Sequence, residues 1–105
     1  MREIKFILPS LDTYSHVALR KELAMAAGGF TVTPCTGGWF DPDLQEVVTE
    51  ENLQYCVGSS DLQTVAKVRR IAVHYGKEVF NQKALYFVEP SGDARIIDLT
   101  EEFPV

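Results

Sequence analysis

The stretch SDLQTVAKVRRIAVHYGKEVF (residues 60–80), running into KALYFVE (residues 83–89), decides the fold. Ser60 and Gln63 match a capping box, in which the first side chain caps the helix and the second reaches back, so a helix opens here. Leu62, Val65, Val68, Ala72, Tyr75 and Val79 then recur at three- and four-residue spacing, which lays one apolar stripe along the helix through about Phe80. Leu85, Tyr86, Phe87 and Val88 have high β propensity and form the next strand. A striped helix that feeds a strand must bury its stripe against a sheet.

Working outward, Arg2 to Leu8 reads as a strand with one buried face, Ile4, Phe6 and Leu8 against Glu3, Lys5 and Ile7. Pro9 ends it because proline donates nothing to the ladder. Asp12, Thr13 and Ser15 supply capping oxygens for a helix over His16 to Ala27, with Val17, Leu19, Leu23, Ala24 and Ala26 as its apolar stripe and Gly28-Gly29 as its stop. Phe30, Val32 and Pro34 alternate with Thr31, Thr33 and Cys35, which makes a second strand. Thr36 to Asp43 is rich in turn formers and reads as a wide hairpin loop. Strand character resumes from Glu46 to Val57, with a bulge expected near Glu50-Glu51-Asn52. Pro90 to Asp93 makes a turn, and Ala94 to Leu99 a short fifth strand or extension.

Strand, helix, strand, strand, helix, strand is the split βαβ order, so the expected fold is α+β. It is a ferredoxin-like βαββαβ two-layer sandwich, an antiparallel four-stranded sheet with both helices on one face. Residues 1–105 are expected to form a single domain, since the chain is long enough for one core without staples. The other sheet face is left uncovered. Ile7, Cys35 or Pro34, Gln54, Cys56, Tyr86 and Val88, or their alternates, would lie there, a mixed surface that predicts a homodimer.

The charge excludes some partners. Fifteen acids against ten bases give −5, and Lys67, Arg69, Arg70 and Lys77 on one helix and Arg20 and Lys21 on the other are too loosely grouped for a nucleic-acid face. No stretch approaches the roughly 18 apolar residues of a membrane span, and no apolar leader follows a basic start, so a cytoplasmic protein is expected. Cys35 and Cys56 lack metal-ligand spacing. In the expected hairpin Cys35 falls near Glu50 and Cys56 near Gly29 or Phe30, about 20 Å apart along the sheet and beyond disulfide reach.

Gly37-Gly38-Trp39-Phe40 is the most unusual local feature: the indole either lids a pocket or caps the end of the core. It lacks G-x-G-x-x-G and opens no helix, so no dinucleotide site and no cofactor is expected. Glu46 and Glu50 share a strand face by parity, whereas Glu50 and Glu51 point to opposite sides unless a bulge intervenes. His74 sits on the exposed side of its helix, near a C-terminus whose dipole favours a cation. His16 lies in a first turn, where the dipole favours its neutral form and a general-base role is conceivable, but the sequence offers no acid or nucleophile beside it.

The segments Phe30-Thr31-Val32, Gly37 to Asp43 and Tyr75 to Leu85 resemble a group of small bacterial and phage ferredoxin-like domains of unknown function with a glycine-tryptophan hairpin loop. The resemblance covers about half the chain, and a glycine often found after the residue matched by Asp43 is missing here. It implies the same fold and places Trp39, Gln82 and the strand acid Glu50 around the hairpin. The leading expectation is a noncatalytic binding or interaction module, dimeric through its sheet, with a surface for a small molecule or protein partner near Trp39, Glu50, Tyr55 and Gln82. One alternative is a small enzyme using a dimeric cleft with His16 or Glu50 as proton carrier. Another is an acidic mobile-element protein that inhibits a host nucleic-acid enzyme.

Overall fold

The structure, a computed structural model, describes residues 2–59 and 61–100. In chain order its elements are β1 (Arg2–Pro9), α1 (Thr13–Ala27), β2 (Thr31–Asp41), β3 (Glu46–Ser59), α2 (Leu62–His74), a π-helical turn (Tyr75–Val79), β4 (Ala84–Val88) and β5 (Ala94–Asp98). The sheet is antiparallel with strand order β2-β3-β1-β4-β5, so the expected four strands are joined by the short fifth.

Alternation sets the two faces. Ile4, Phe6, Leu8, Tyr55, Val57, Leu85, Phe87 and Ile97 point to one side, where they are buried with Leu19 and Leu23 of α1 and Val65, Val68 and Ala72 of α2. Phe6 stands at the centre, its ring stacked 5.3 Å from Tyr55 and 6.5 Å from Phe87. Lys5, Ile7, Gln54, Cys56, Tyr86 and Val88 point to the other face, which no helix covers.

The helix ends follow local chemistry. Asp12 caps α1, its carboxylate accepting from the Ser15 backbone N–H at 3.2 Å and the Ser15 hydroxyl at 2.6 Å. Asp61 caps α2 by accepting from the Gln63 N–H, where the sequence pointed to Ser60, which lies outside the described residues. The apolar stripes are narrower than expected. Val17 on α1 and Leu62 on α2 are mostly exposed, and α1 buries His16 beside Leu19 and Leu23.

The largest departure from expectation is the region Thr36–Asp43, which is not a wide loop. β2 continues through Gly37, Gly38, Trp39 and Phe40, and the connection shrinks to residues 42–45. Asp41 Oδ1 accepts from the N–H groups of Asp43 (2.9 Å) and Leu44 (3.2 Å), and Gln45 takes a positive φ of 57°, which closes the turn. The expected bulge is absent as well: the register runs unbroken from Asp41↔Glu46 to Thr31↔Cys56. The tighter turn slips the pairing so that Cys35 faces Asn52 and Cys56 faces Thr31. A slip of two residues leaves every side chain on its own face, and both thiols are free.

Since β1 pairs with β3 only from Asn52 to Ser59, the stretch Thr36–Asp41 with Glu46–Glu51 projects past the sheet as a two-stranded arm.

Candidate functional site

Parity places Cys35, Gly37 and Trp39 of β2 on the open side of the sheet, together with Val48, Glu50 and Asn52 of β3. Trp39 lies opposite Val48 and Gly37 opposite Glu50, so the indole and the Glu50 carboxylate are diagonal neighbours, a separation that long side chains bridge. Both are exposed. Asn52 is buried beneath them, and its amide donates to Glu50 Oε1 at 3.1 Å and to the Glu51 carbonyl at 3.2 Å. Gly37 makes this arrangement possible, since a Cβ there would lie 2.6 Å from the Asn52 amide. Its role is close approach rather than turn formation. Gly37→Ala is therefore expected to displace the Asn52 amide and release Glu50, lowering stability by about 1 kcal/mol. Urea unfolding together with the NMR resonances of the Asn52 side-chain amide measures this.

Glu51 points the opposite way and accepts from Thr36 Oγ1 at 3.1 Å, so the two adjacent carboxylates do not converge. Of the residues expected around the hairpin, Trp39 and Glu50 are brought together. Tyr55 is fully buried on the helix side of the sheet, and Gln82 follows the π-helical turn. Gln82 is engaged locally, its backbone N–H donating to the Gly76 carbonyl at 2.8 Å and its Nε2 to the Phe80 carbonyl at 3.0 Å.

His16 is built into the core rather than presented to a substrate. Nε2 lies 2.7 Å from the Pro9 carbonyl, which can only accept, so Nε2 carries the proton and Nδ1 accepts from the Tyr55 hydroxyl at 2.7 Å. Arg20 Nε donates to the same Tyr55 oxygen at 3.2 Å. Tyr14 is exposed and stands apart from this cluster. Burial, first, and the hydrogen bond to Glu3, second, push the Cys56 thiol up to about 11, which leaves it un-ionised and a poor nucleophile. Among the described residues no group of three or more His, Cys, Asp or Glu is placed to hold a metal, and no helix is long and apolar enough to cross a membrane.

Asn52 and Arg20 were not singled out from the sequence. An asparagine in a weak strand carries no signal until the register places a glycine diagonally across from it, and Arg20 reads as an ordinary surface cation.

No family model matches the chain, and no curated protein matches it. Solved structures do. A phage SAM lyase in complex with S-methyl-5'-thioadenosine superposes with a TM-score of 0.62 at 14% identity, covering 91% of this chain and 88% of the lyase. The periplasmic divalent cation tolerance protein CutA from Archaeoglobus fulgidus gives 0.54 at 14% identity, with 98% and 87% covered. The Bacillus subtilis GlnK–ATP complex gives 0.54 at 15% identity, with 90% and 75% covered. At these identities the likeness establishes the fold, which is ferredoxin-like, and leaves the chemistry to the residues.

Proposed function

We propose that this chain is a noncatalytic binding module that associates with copies of itself and holds a small adenosine-bearing ligand beside Trp39 and Glu50. The observation that carries the reading is the pairing of an exposed indole with a carboxylate on the open side of the sheet, the carboxylate oriented from beneath by Asn52. An indole is a stacking platform worth about 1–3 kcal/mol per base, and a carboxylate accepts from ribose hydroxyls. Two structural neighbours support the ligand class, one bound to S-methyl-5'-thioadenosine and one to ATP. The net charge of −5 and the nearness of Glu50 favour the uncharged thioadenosine over the polyanionic ATP.

Self-association is supported by the arm. A two-stranded ribbon is marginally stable alone in water, yet this one bears an apolar cross-strand pair on each face, Trp39 with Val48 and Phe40 with Val47. Trp39, Phe40 and Val47 are 50%, 57% and 66% exposed. The same chain leaves Tyr86 and Ile96 exposed on its open face beside the half-buried Ile7, so a second copy offers the apolar surface the arm lacks.

Sedimentation equilibrium and calorimetric titration with S-methyl-5'-thioadenosine test the proposal. The expected result is an oligomer that binds the nucleoside more tightly than ATP and loses about tenfold or more in affinity in Trp39→Ala. A monomer that binds neither compound overturns it.

A second reading, a small lyase with Glu50 as proton carrier, is favoured by the match to a phage SAM lyase. Incubation with SAM separates the two. Accumulation of S-methyl-5'-thioadenosine that Glu50→Gln abolishes would replace the noncatalytic reading.

A further inference from the structure

The helix side of the molecule carries a second surface that the Trp39–Glu50 site does not use. Between α2 and β5 lies a groove of about 640 Å³, floored by Val73 and Ile97 and rimmed by Arg69, Arg70, Lys77 and Arg95. We propose that this groove binds a phosphate monoester attached to an apolar body.

Charge is the first argument. The chain carries −5 overall with 10 Lys and Arg, yet four of those ten surround this one groove, with Glu78 as the acid in its lining. Arg69 and Arg70 are neighbours on α2, Lys77 follows in the π-helical turn, and Arg95 meets them from the strand. Glu89 offsets part of this charge. It bonds Arg69 and lies 3.9 Å from Arg95, so two guanidinium groups share one carboxylate. The pair is also incompletely satisfied, because the buried Arg69 Nε and Glu89 Oε1 have no hydrogen-bond partner among the described residues. Arg69 is braced from below by the Phe87 ring, 5.6 Å from its guanidinium carbon. Glu89 therefore positions the Arg69 guanidinium at one end of the groove with Arg95 nearby, while Arg70 has no ion-pair partner among the described residues, a donor set matched to a dianion with several oxygens.

The floor is the second argument. A row of cations on a solvated helix needs no apolar base, but here Ile97 is 9% exposed and sits with Val73 between the charged rims. Inorganic phosphate would leave that floor wet, whereas a ring or chain joined to the phosphate would cover it. The volume falls within the range of about 300–1,000 Å³ common for small-molecule sites. Among the described residues β5 pairs with β4 alone, so the groove lies at the sheet edge, where a ligand can enter from the side.

The test is titration of the whole protein with phenyl phosphate, inorganic phosphate and phenol, followed by backbone amide shifts. Phenyl phosphate is expected to shift residues of α2 and β5, and to bind at least fivefold more tightly than inorganic phosphate, while phenol shifts nothing there. Arg70→Gln with Arg95→Gln should weaken phenyl phosphate tenfold or more, with circular dichroism confirming the fold, whereas Trp39→Ala should leave it unchanged. The proposal fails if phenyl phosphate shifts other residues, if inorganic phosphate binds equally well, or if the double variant binds as the parent does. It also fails if an acidic peptide shifts the groove and phenyl phosphate does not, which would make the groove a docking surface for protein. Because Trp39 takes no part, failure here leaves the nucleoside reading standing, and the reverse holds too.

Discussion

His16→Ala is expected to destabilise the protein by about 3 kcal/mol or more, a loss of at least about 12 °C in Tm for a domain of this length. The imidazole is 2% exposed, stacked 5.8 Å from Tyr55 and tilted 4.7 Å from Phe80. Truncation removes that packing and leaves a cavity. It also strands the Pro9 carbonyl at the end of β1, and the Tyr55 hydroxyl loses its acceptor. Each buried group so orphaned costs about 1–3 kcal/mol. His16→Gln retains one donor and one acceptor and should recover part of the loss, which a purely volumetric effect would not produce. His74→Ala, at an exposed position, should change stability by less than about 0.5 kcal/mol. Thermal and urea unfolding of the three variants measure this, and a His16→Ala protein as stable as its parent would refute the buried hydrogen-bond chain.

The His16 cluster shows how much of the molecule could be read from its residues. Strand β1 and helix α2 follow from periodicity, because each buries one regular face against a single layer, and β4 from its β propensity; on α1 the period marks a helix but not its buried face, since Val17 is exposed and His16 is buried. The arm did not follow. Gly37, Gly38, Asp41 and Pro42 are turn formers by intrinsic preference, and Glu46, Glu50 and Glu51 are weak strand formers. Cross-strand pairing overrode those preferences: Trp39 against Val48 and Phe40 against Val47 hold the ribbon, and the missing side chain of Gly37 admits Asn52. Propensity is local and pairing is not. The nearness of Trp39 and Glu50 was anticipated, but from a loop, whereas a continuous register produces it. Tyr55, expected beside them, is buried on the helix side instead, a face set by pairing with β1 and β2 and not by its own β propensity. His16 was assigned to a helix start correctly. Its partners, Pro9 and Tyr55, lie 7 and 39 residues away in sequence, and only the folded chain brings all three together.

Stability should fall steeply as pH rises above 10, through the two buried tyrosines. Burial, with Glu22 accepting the hydroxyl proton and adding its charge, pushes Tyr75 up to about 12 from a usual 10.0. Burial also raises Tyr55, opposed by the hydrogen bond and charge of Arg20. For an acid whose folded pKa is raised, the contribution is fully present below the unfolded value, where both states hold the proton. Above that value the unfolded chain loses its proton while the folded chain keeps it, so each pH unit drains stability on the order of 1 kcal/mol per tyrosine until the folded group ionises. The window opens at pH 10 and, for Tyr75, closes near 12. Urea midpoints taken from pH 8 to 11.5 should therefore be level at first and then drop. Tyr75→Phe should be less stable than the parent at pH 8, having lost the bond to Glu22, yet decline more gently above pH 10. Tyr14→Phe, at a side chain 90% exposed, should follow the parent curve throughout. If Tyr75→Phe declines as steeply as the parent, Tyr75 is not the group that holds its proton, and the part-buried bond to Glu22 that fastens the π-helical turn to α1 is not formed in solution.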